Sequence, residues 1–253
     1  MFPLNLFKPF FYYRPFADLT LCHFLKRRMS LPDLYLHKLF ENFDQQPIMF
    51  HQFPQGAWST PLADVSMLLK LAVCVKPKRL MEVGSFRGYT ALYLAQHTPP
   101  DAHIVTVDQY PDHGEAYRHS PYAEKIERRI GKTSSELFAK DKPGSYDLIF
   151  LDADHCYAGV KHDTELLLPL IAPDGYLVWH DYANWGYFDG KNGVPEYLGE
   201  LATKLPIAHV LGSDLAIYSP AWAAEKQSQF RQALQEKLAP HQIDPWKTAA
   251  IRG

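Results

Sequence analysis

The chain lacks most of the features that would class it at a glance. Its three cysteines, Cys22, Cys74 and Cys156, are odd in number and far apart, which excludes a disulfide framework and matches no zinc-ligand spacing. Such usage fits a reducing, cytoplasmic setting. No block of like charge runs over five or six positions, and 26 basic residues balance 28 acidic ones to a formal net charge of −2. Neither a nucleic-acid surface nor an acidic tail is expected from that balance. A long unbroken apolar run is missing too. The aromatic first 25 residues are interrupted by Pro3, Pro9 and Pro15 and contain Lys8, Arg14 and Asp18, so they read as neither a signal core nor a transmembrane segment.

What is present suits one substantial domain, since 253 residues bury a large core but are too few for two typical enzyme domains. Residues 1–58 read as an arm or cap, with Phe10, Phe11, Tyr12 and Tyr13 among scattered prolines and no sustained period. Such an arm can pack on the main domain, pair two copies as a homodimer, or cover a substrate pocket. In "STPLADVSMLLKLAVCV", Ser59 or Thr60 is placed to cap a helix that carries Leu62, Val65, Leu68, Leu69 and Ala72 on one face. Residues 221–253 read as a polar helical tail.

Between 59 and 220, strand-like runs alternate with helix-like ones: "RLMEVG", "HIVTVD", "KIERRIG", "YDLIFLD" and "YLVWHD", with helices expected from Tyr89, Ser134 and about Tyr157. This order implies a parallel sheet covered on both faces. The last two strand candidates, "PIAHVLG" and "DLAIYSP", are too close for a crossover and must form an antiparallel hairpin. The expected architecture is therefore α/β: a Rossmann-like, doubly wound, mostly parallel seven-stranded sheet with a C-terminal antiparallel hairpin and an aromatic N-terminal arm.

In such sheets ligands bind beyond the carboxyl ends of the strands. Gly84 and Gly88 of "EVGSFRGYT" lie at such an end, but G-S-F-R-G-Y lacks the spacing of the dinucleotide fingerprint G-x-G-x-x-G. Glu82 precedes the turn within its strand. Asp108 ends the next strand, with Gln109 beside it, where a carboxylate can accept both hydroxyls of a ribose.

Together these features resemble a class I S-adenosylmethionine-dependent methyltransferase over about residues 60–220. "MEVGSFRGYTA" is similar to the first motif of small-molecule O-methyltransferases of the catechol and caffeoyl-coenzyme A type. The resemblance implies that Gly84, Ser85, Phe86, Gly88, Tyr89 and Thr90, with Glu82 beside them, approach the methionine part of S-adenosylmethionine. It puts Asp108 on the ribose, and Lys132, Thr133 and Ser134 beside the adenine; those hydroxyls also suit a helix cap.

The densest chemistry lies in "FLDADHCYAGVKHD" and "YLVWHDYANWG". Asp152, Asp154 and His155 end one strand and His180 and Asp181 the next, so adjacent strand ends bring them to one rim. Buried carboxylates there call for a cation or a proton. D-x-D-H-x-Y followed by H-D-Y also resembles the subgroup that includes sugar and antibiotic O-methyltransferases, more closely than the catechol enzymes. In metal-dependent relatives two aspartates and an asparagine hold a divalent ion such as Mg²⁺. The matched aspartates are Asp152 and Asp181; Tyr182 takes the asparagine's place, with Asn184 two residues late. His155 stands where the catechol type carries its lysine base and, at an ordinary pKa, could accept a hydroxyl proton near neutral pH. The resemblance thus implies methyl transfer to a hydroxyl of a small molecule such as a sugar, a phenol or a natural product. The alternatives left open are a non-catalytic cofactor-binding module and an NAD-linked oxidoreductase.

Overall fold

The computed structural model describes residues 31–51, 53, 59–184 and 193–225. The first 30 residues, Trp185, Tyr187 and Phe188 of the aromatic loop, and the tail beyond 225 lie outside the described residues.

Three strands form the middle of the sheet: β2 (Arg79–Val83), β3 (His103–Asp108) and β5 (Tyr146–Leu151). Leu80, Met81, Ile104, Val105, Leu148 and Ile149 are fully buried, as expected of parallel strands covered on both faces. β4 (Ile126–Ile130) pairs with β3, and β6 (Ile171–Trp179) with β5, all in parallel. β6 starts earlier than the run "YLVWHD" suggested, because Ile171 already pairs with Tyr146 before a register shift.

β7 (Ala208–Val210) and β8 (Ala216–Tyr218) form the expected antiparallel hairpin, and β8 lies antiparallel to β6. An eighth strand was not foreseen. β1 (Asp33–Leu34) pairs in parallel with β7, so the sheet order is β1-β7-β8-β6-β5-β2-β3-β4. Two residues carry too little pattern to read as a strand. What fixes them is tertiary: the Leu31 amide donates to the Tyr182 hydroxyl at 2.9 Å, and His209 bonds Asp33 at 2.7 Å. Leu36 and Phe43 then bury themselves in the core, making residues 31–51 part of the main body rather than a separate arm.

Helix α1 (Leu62–Val75) packs Val65, Leu68, Leu69 and Ala72 inward, while Leu62, expected on that face, is exposed at its first turn. Its N-terminus is not capped by Ser59 or Thr60. Pro61 holds that position, and the Thr60 hydroxyl instead donates to Asp152 at 3.1 Å. α2 (Tyr89–His97) follows the glycine turn, and the half-buried Lys125 ammonium closes its far end by donating to the carbonyls of Ala95 and Thr98 at 2.6 and 3.1 Å. α3 (Ser134–Phe138) is capped by Thr133. α4 (Tyr157–Leu167) is tied to β6 by the buried Trp179 indole, which donates to Thr164 at 2.8 Å. α5 (Val194–Leu201) and α6 (Pro220–Glu225) complete the described elements.

The chain runs from β2 outward through β3 to β4, then returns to β5 on the opposite side of β2. Strand order reverses between β2 and β5, the place where open sheets hold ligands.

Candidate active site

A cavity of about 1600 Å³ opens at that reversal. Its floor is the turn after β2. Gly84 has φ +94°, and a Cβ there would stand 1.9 Å from the Asp152 carbonyl oxygen. The glycine is thus demanded first by the crossing of β5, not by a ligand. Gly88, at φ +80°, starts α2 with the Tyr117 ring against it, 2.6 Å from where a Cβ would sit. Phe86 adopts φ 46° and stays nearly half exposed on the wall. Ser85, Tyr89 and Thr90 also line the cavity.

Asp108 lies on the wall with Gln109. Its carboxylate accepts from the amides of Ser85 and Phe86 at 3.1 and 2.8 Å and of Tyr110 at 3.0 Å. It braces the glycine turn with three of the roughly four acceptor sites an ionised carboxylate offers. Glu82, expected beside the cofactor, is not among the residues that line the cavity. It is 1 % exposed behind the turn, where Thr106 donates to it at 2.5 Å. Burial there pushes its carboxyl up to about 8. Lys132, Thr133 and Ser134 line the far side; Thr133 is the α3 cap, and Ser134 donates to Asp163.

The paired strand ends of β5 and β6 bring Asp152, His155, His180 and Asp181 together. His155 Nε2 lies 2.9 Å from Asp181 and 3.4 Å from Asp152. His180 Nδ1 lies 3.1 Å from Asp152 and 3.2 Å from Asp181. Burial opposes ionisation of both aspartates, but the two histidines outweigh it and hold them well below the usual carboxylate range. Burial likewise depresses His155, yet hydrogen bonds to Asp152 and Asp181 win and raise it to about 9. An unperturbed histidine, as the sequence suggested, is not what stands here: this one keeps its proton at neutral pH. Asp154 lies aside and accepts from the Cys156 amide at 2.9 Å, shaping the turn into α4.

Tyr182 is buried and turned away from the cavity, its hydroxyl held by the Leu31 amide. Asn184 takes the near position: its amide donates to Asp181 at 2.5 Å. The left-handed backbone of Asp181, φ 59°, accompanies that reversal of direction.

Comparison with known proteins fits this geometry. A family model described as a methyltransferase domain matches residues 81–182. A caffeoyl-CoA O-methyltransferase of Populus kitakamiensis is 31% identical over 165 residues, covering 60% of this chain and 67% of that one. The chain belongs to the S-adenosylmethionine-dependent O-methyltransferases of the caffeoyl-CoA and catechol type. The catechol O-methyltransferase of Mycobacterium tuberculosis is 30% identical over 91 residues, 34% of this methyltransferase and 41% of that one. Among solved structures, TomG of Streptomyces achromogenes, an O-methyltransferase of tomaymycin synthesis solved with S-adenosylmethionine, shares the fold at TM-score 0.53 and 21% identity, covering 80% of this chain and 96% of that one. S-adenosylmethionine is the cofactor of this methyltransferase, and the NAD and non-catalytic alternatives fall away.

O-methyltransferases of the caffeoyl-CoA type often use a divalent cation. The donor set meets the requirement. Asp152 and Asp181 offer ionised carboxylate oxygens, and the His155 ring nitrogen within 4.8 Å of them becomes a third donor only once it gives up its proton.

Proposed function

We propose that this methyltransferase transfers the methyl group to a hydroxyl of a small molecule at the rim formed by Asp152, His155 and Asp181. The observation that carries the reading is the convergence of these three side chains, from the ends of β5 and β6, on the cavity floored by the glycine turn. The sulfonium of S-adenosylmethionine already makes the methyl group electrophilic. The protein has to align an acceptor oxygen in line with it and take one proton away. Gly84 to Thr90 shape the methionine side of the cofactor, Asp108 and Gln109 face its ribose, and Lys132, Thr133 and Ser134 the adenine. His155, once deprotonated, accepts the hydroxyl proton, with Asp152 and Asp181 orienting its ring and stabilising the charge it gains. A divalent ion held by Asp152 and Asp181, with Asn184 beside them, would lower the pKa of the acceptor hydroxyl.

The acceptor we assign is a hydroxylated molecule without phosphate groups. Asp154, Asp163 and Glu196 join Asp108, Asp152 and Asp181 on the described wall, against Arg87, Lys132 and the protonated rings of His155 and His180, which leaves the carboxylates in excess. Carboxylates in that excess repel the phosphates of a coenzyme A ester. Pairing of two chains through the aromatic arm would rest on residues outside those described. Free Cys74 and Cys156 support a cytoplasmic setting, and no described helix is long and apolar enough to cross a membrane.

The test is His155→Ala, assayed against a panel of catechols, sugars and coenzyme A thioesters. Turnover should fall by about 100-fold or more, the usual contribution of a general base, while the dissociation constant for S-adenosylmethionine holds. Parallel loss of both would sink the base assignment, and a preference for the thioesters would sink the acceptor class.

A further inference from the structure

The rim described above has a second layer that the proton-transfer scheme does not use. His180 is 6 % exposed, packed edge-on against Phe150, with ring centroids 6.3 Å apart. Its Nδ1 sits between the Oδ1 atoms of Asp152 and Asp181, at 3.1 and 3.2 Å. On the opposite side of the ring, Nε2 lies 3.3 Å from Asp64 Oδ2. Ionised carboxylates only accept hydrogen bonds, so with carboxylates at both ends the ring acts as a donor at both.

Asp64 is 2 % exposed in the first turn of α1, far in sequence from the rim. Its other oxygen accepts from the Asp214 amide at 2.6 Å, in the turn between β7 and β8. The Asp214 carbonyl in turn accepts from the Tyr182 amide at 2.9 Å, next to Asp181. The bonds close a circuit: Asp181 and Tyr182, Asp214, Asp64, His180, and back to Asp181. That circuit pins the one rim residue whose backbone is left-handed, a conformation L side chains adopt rarely.

We infer that His180 and Asp64 are positioning residues for methyl transfer: Asp64 anchors His180, and His180 holds the carboxylates of Asp152 and Asp181 at the spacing the reaction uses. Without His180, His155 is left as the one described ring between the two carboxylates, and the Oδ1 atoms that His180 held at 3.1 and 3.2 Å face each other as like charges. Neither His180 nor Asp64 needs to touch the methyl group or the acceptor oxygen. The inference rests on the placement of acceptor activation at Asp152, His155 and Asp181.

The decisive variant is Asp64→Asn in the full chain. Asparagine has one oxygen for the two tasks, so it can serve the Asp214 amide or His180 but not both. The expected result is a fall in kcat of about tenfold, the lower end of what losing such a supporting partner costs, with the S-adenosylmethionine dissociation constant unchanged. A purely structural role predicts otherwise in a double-mutant cycle. Because Asp64 acts through His180, Asp64→Asn should cost nothing further in a His180→Gln background. The same loss in both backgrounds, an unchanged kcat in the single variant, or cofactor binding that falls in step with kcat would each overturn the proposal. If Asp64→Asn does not fold, His180→Gln alone decides, with lower kcat at unchanged cofactor affinity in favour and a wild-type kcat against. Asp152→Asn separates this inference from the site assignment. If that variant retains wild-type turnover, the site itself is wrong; if it loses turnover while the Asp64 and His180 variants do not, only the positioning proposal fails.

Discussion

Replacing Glu82 by Gln should make the protein more stable in alkaline solution relative to wild type, an unusual outcome for a buried residue. The carboxyl lies behind the glycine turn, 1 % exposed, with Thr106 donating to it and with Asp152 and Asp108 as neighbouring charges that oppose a further negative one. Its folded pKa of about 8 stands above the ordinary 4.5. Between those values the folded protein holds a proton that the unfolded chain releases, so stability falls as pH rises through the window and levels off above about 8. At 1.36 kcal/mol per pH unit, the full window is worth about 5 kcal/mol, about 4 of it between pH 5 and 8. Glutamine mimics the protonated acid and does not titrate. Other titrating groups cancel when the two proteins are compared at each pH. Urea unfolding of both at pH 5 and pH 8.5 gives the difference directly, and Glu82→Gln should gain about 4 kcal/mol on wild type across that range. A difference that changes by less than about 1 kcal/mol would refute the claim that Glu82 is held neutral.

Other parts of the site and fold carry outcomes of their own. With His155 raised to about 9, kcat/KM should climb about tenfold per pH unit from neutrality toward 9; a flat profile there would remove His155 as the base. Exhaustive chelation should abolish turnover if an ion at Asp152 and Asp181 activates the acceptor, and activity that survives it would leave proton removal to His155 alone. Gly84→Ala forces a Cβ to within 1.9 Å of the Asp152 carbonyl at a positive φ, and should abolish folding or lower the melting temperature by well over 10 °C; a near-normal melt would show that the turn and β5 can separate. Tyr182→Phe strands the Leu31 amide and should cost about 1–3 kcal/mol of stability while leaving cofactor affinity alone.

The repeated strand-helix order, the hairpin and the glycine turn were legible because each rests on local pattern: periodicity, turn spacing and loop length. Asp152, His155 and Asp181 were legible because adjacent parallel strands bring their ends together whatever lies between them in sequence. β1 was not, since Asp33 and Leu34 become a strand only by docking on β7. The burial of Glu82 behind its turn was equally hidden, because strand alternation tells which face a residue takes but not what covers that face. Asp64 gave no sign at all. An acid in a helix's first turn is favourable there on any helix, and the bond from Asp64 to His180 spans 116 residues. Asp108 carries a second task that its place at a strand end did not foretell: its oxygens also accept from the amides of the glycine turn.

The central claim is that the donor methyl group meets its acceptor at the rim of Asp152, His155 and Asp181. A crystal structure with the demethylated cofactor product bound tests it most directly. The account predicts the thioether sulfur facing that rim, its methionine portion along Gly84 to Thr90 and its ribose toward Asp108. A sulfur turned away from Asp152 and Asp181, with no open path between them, would contradict it.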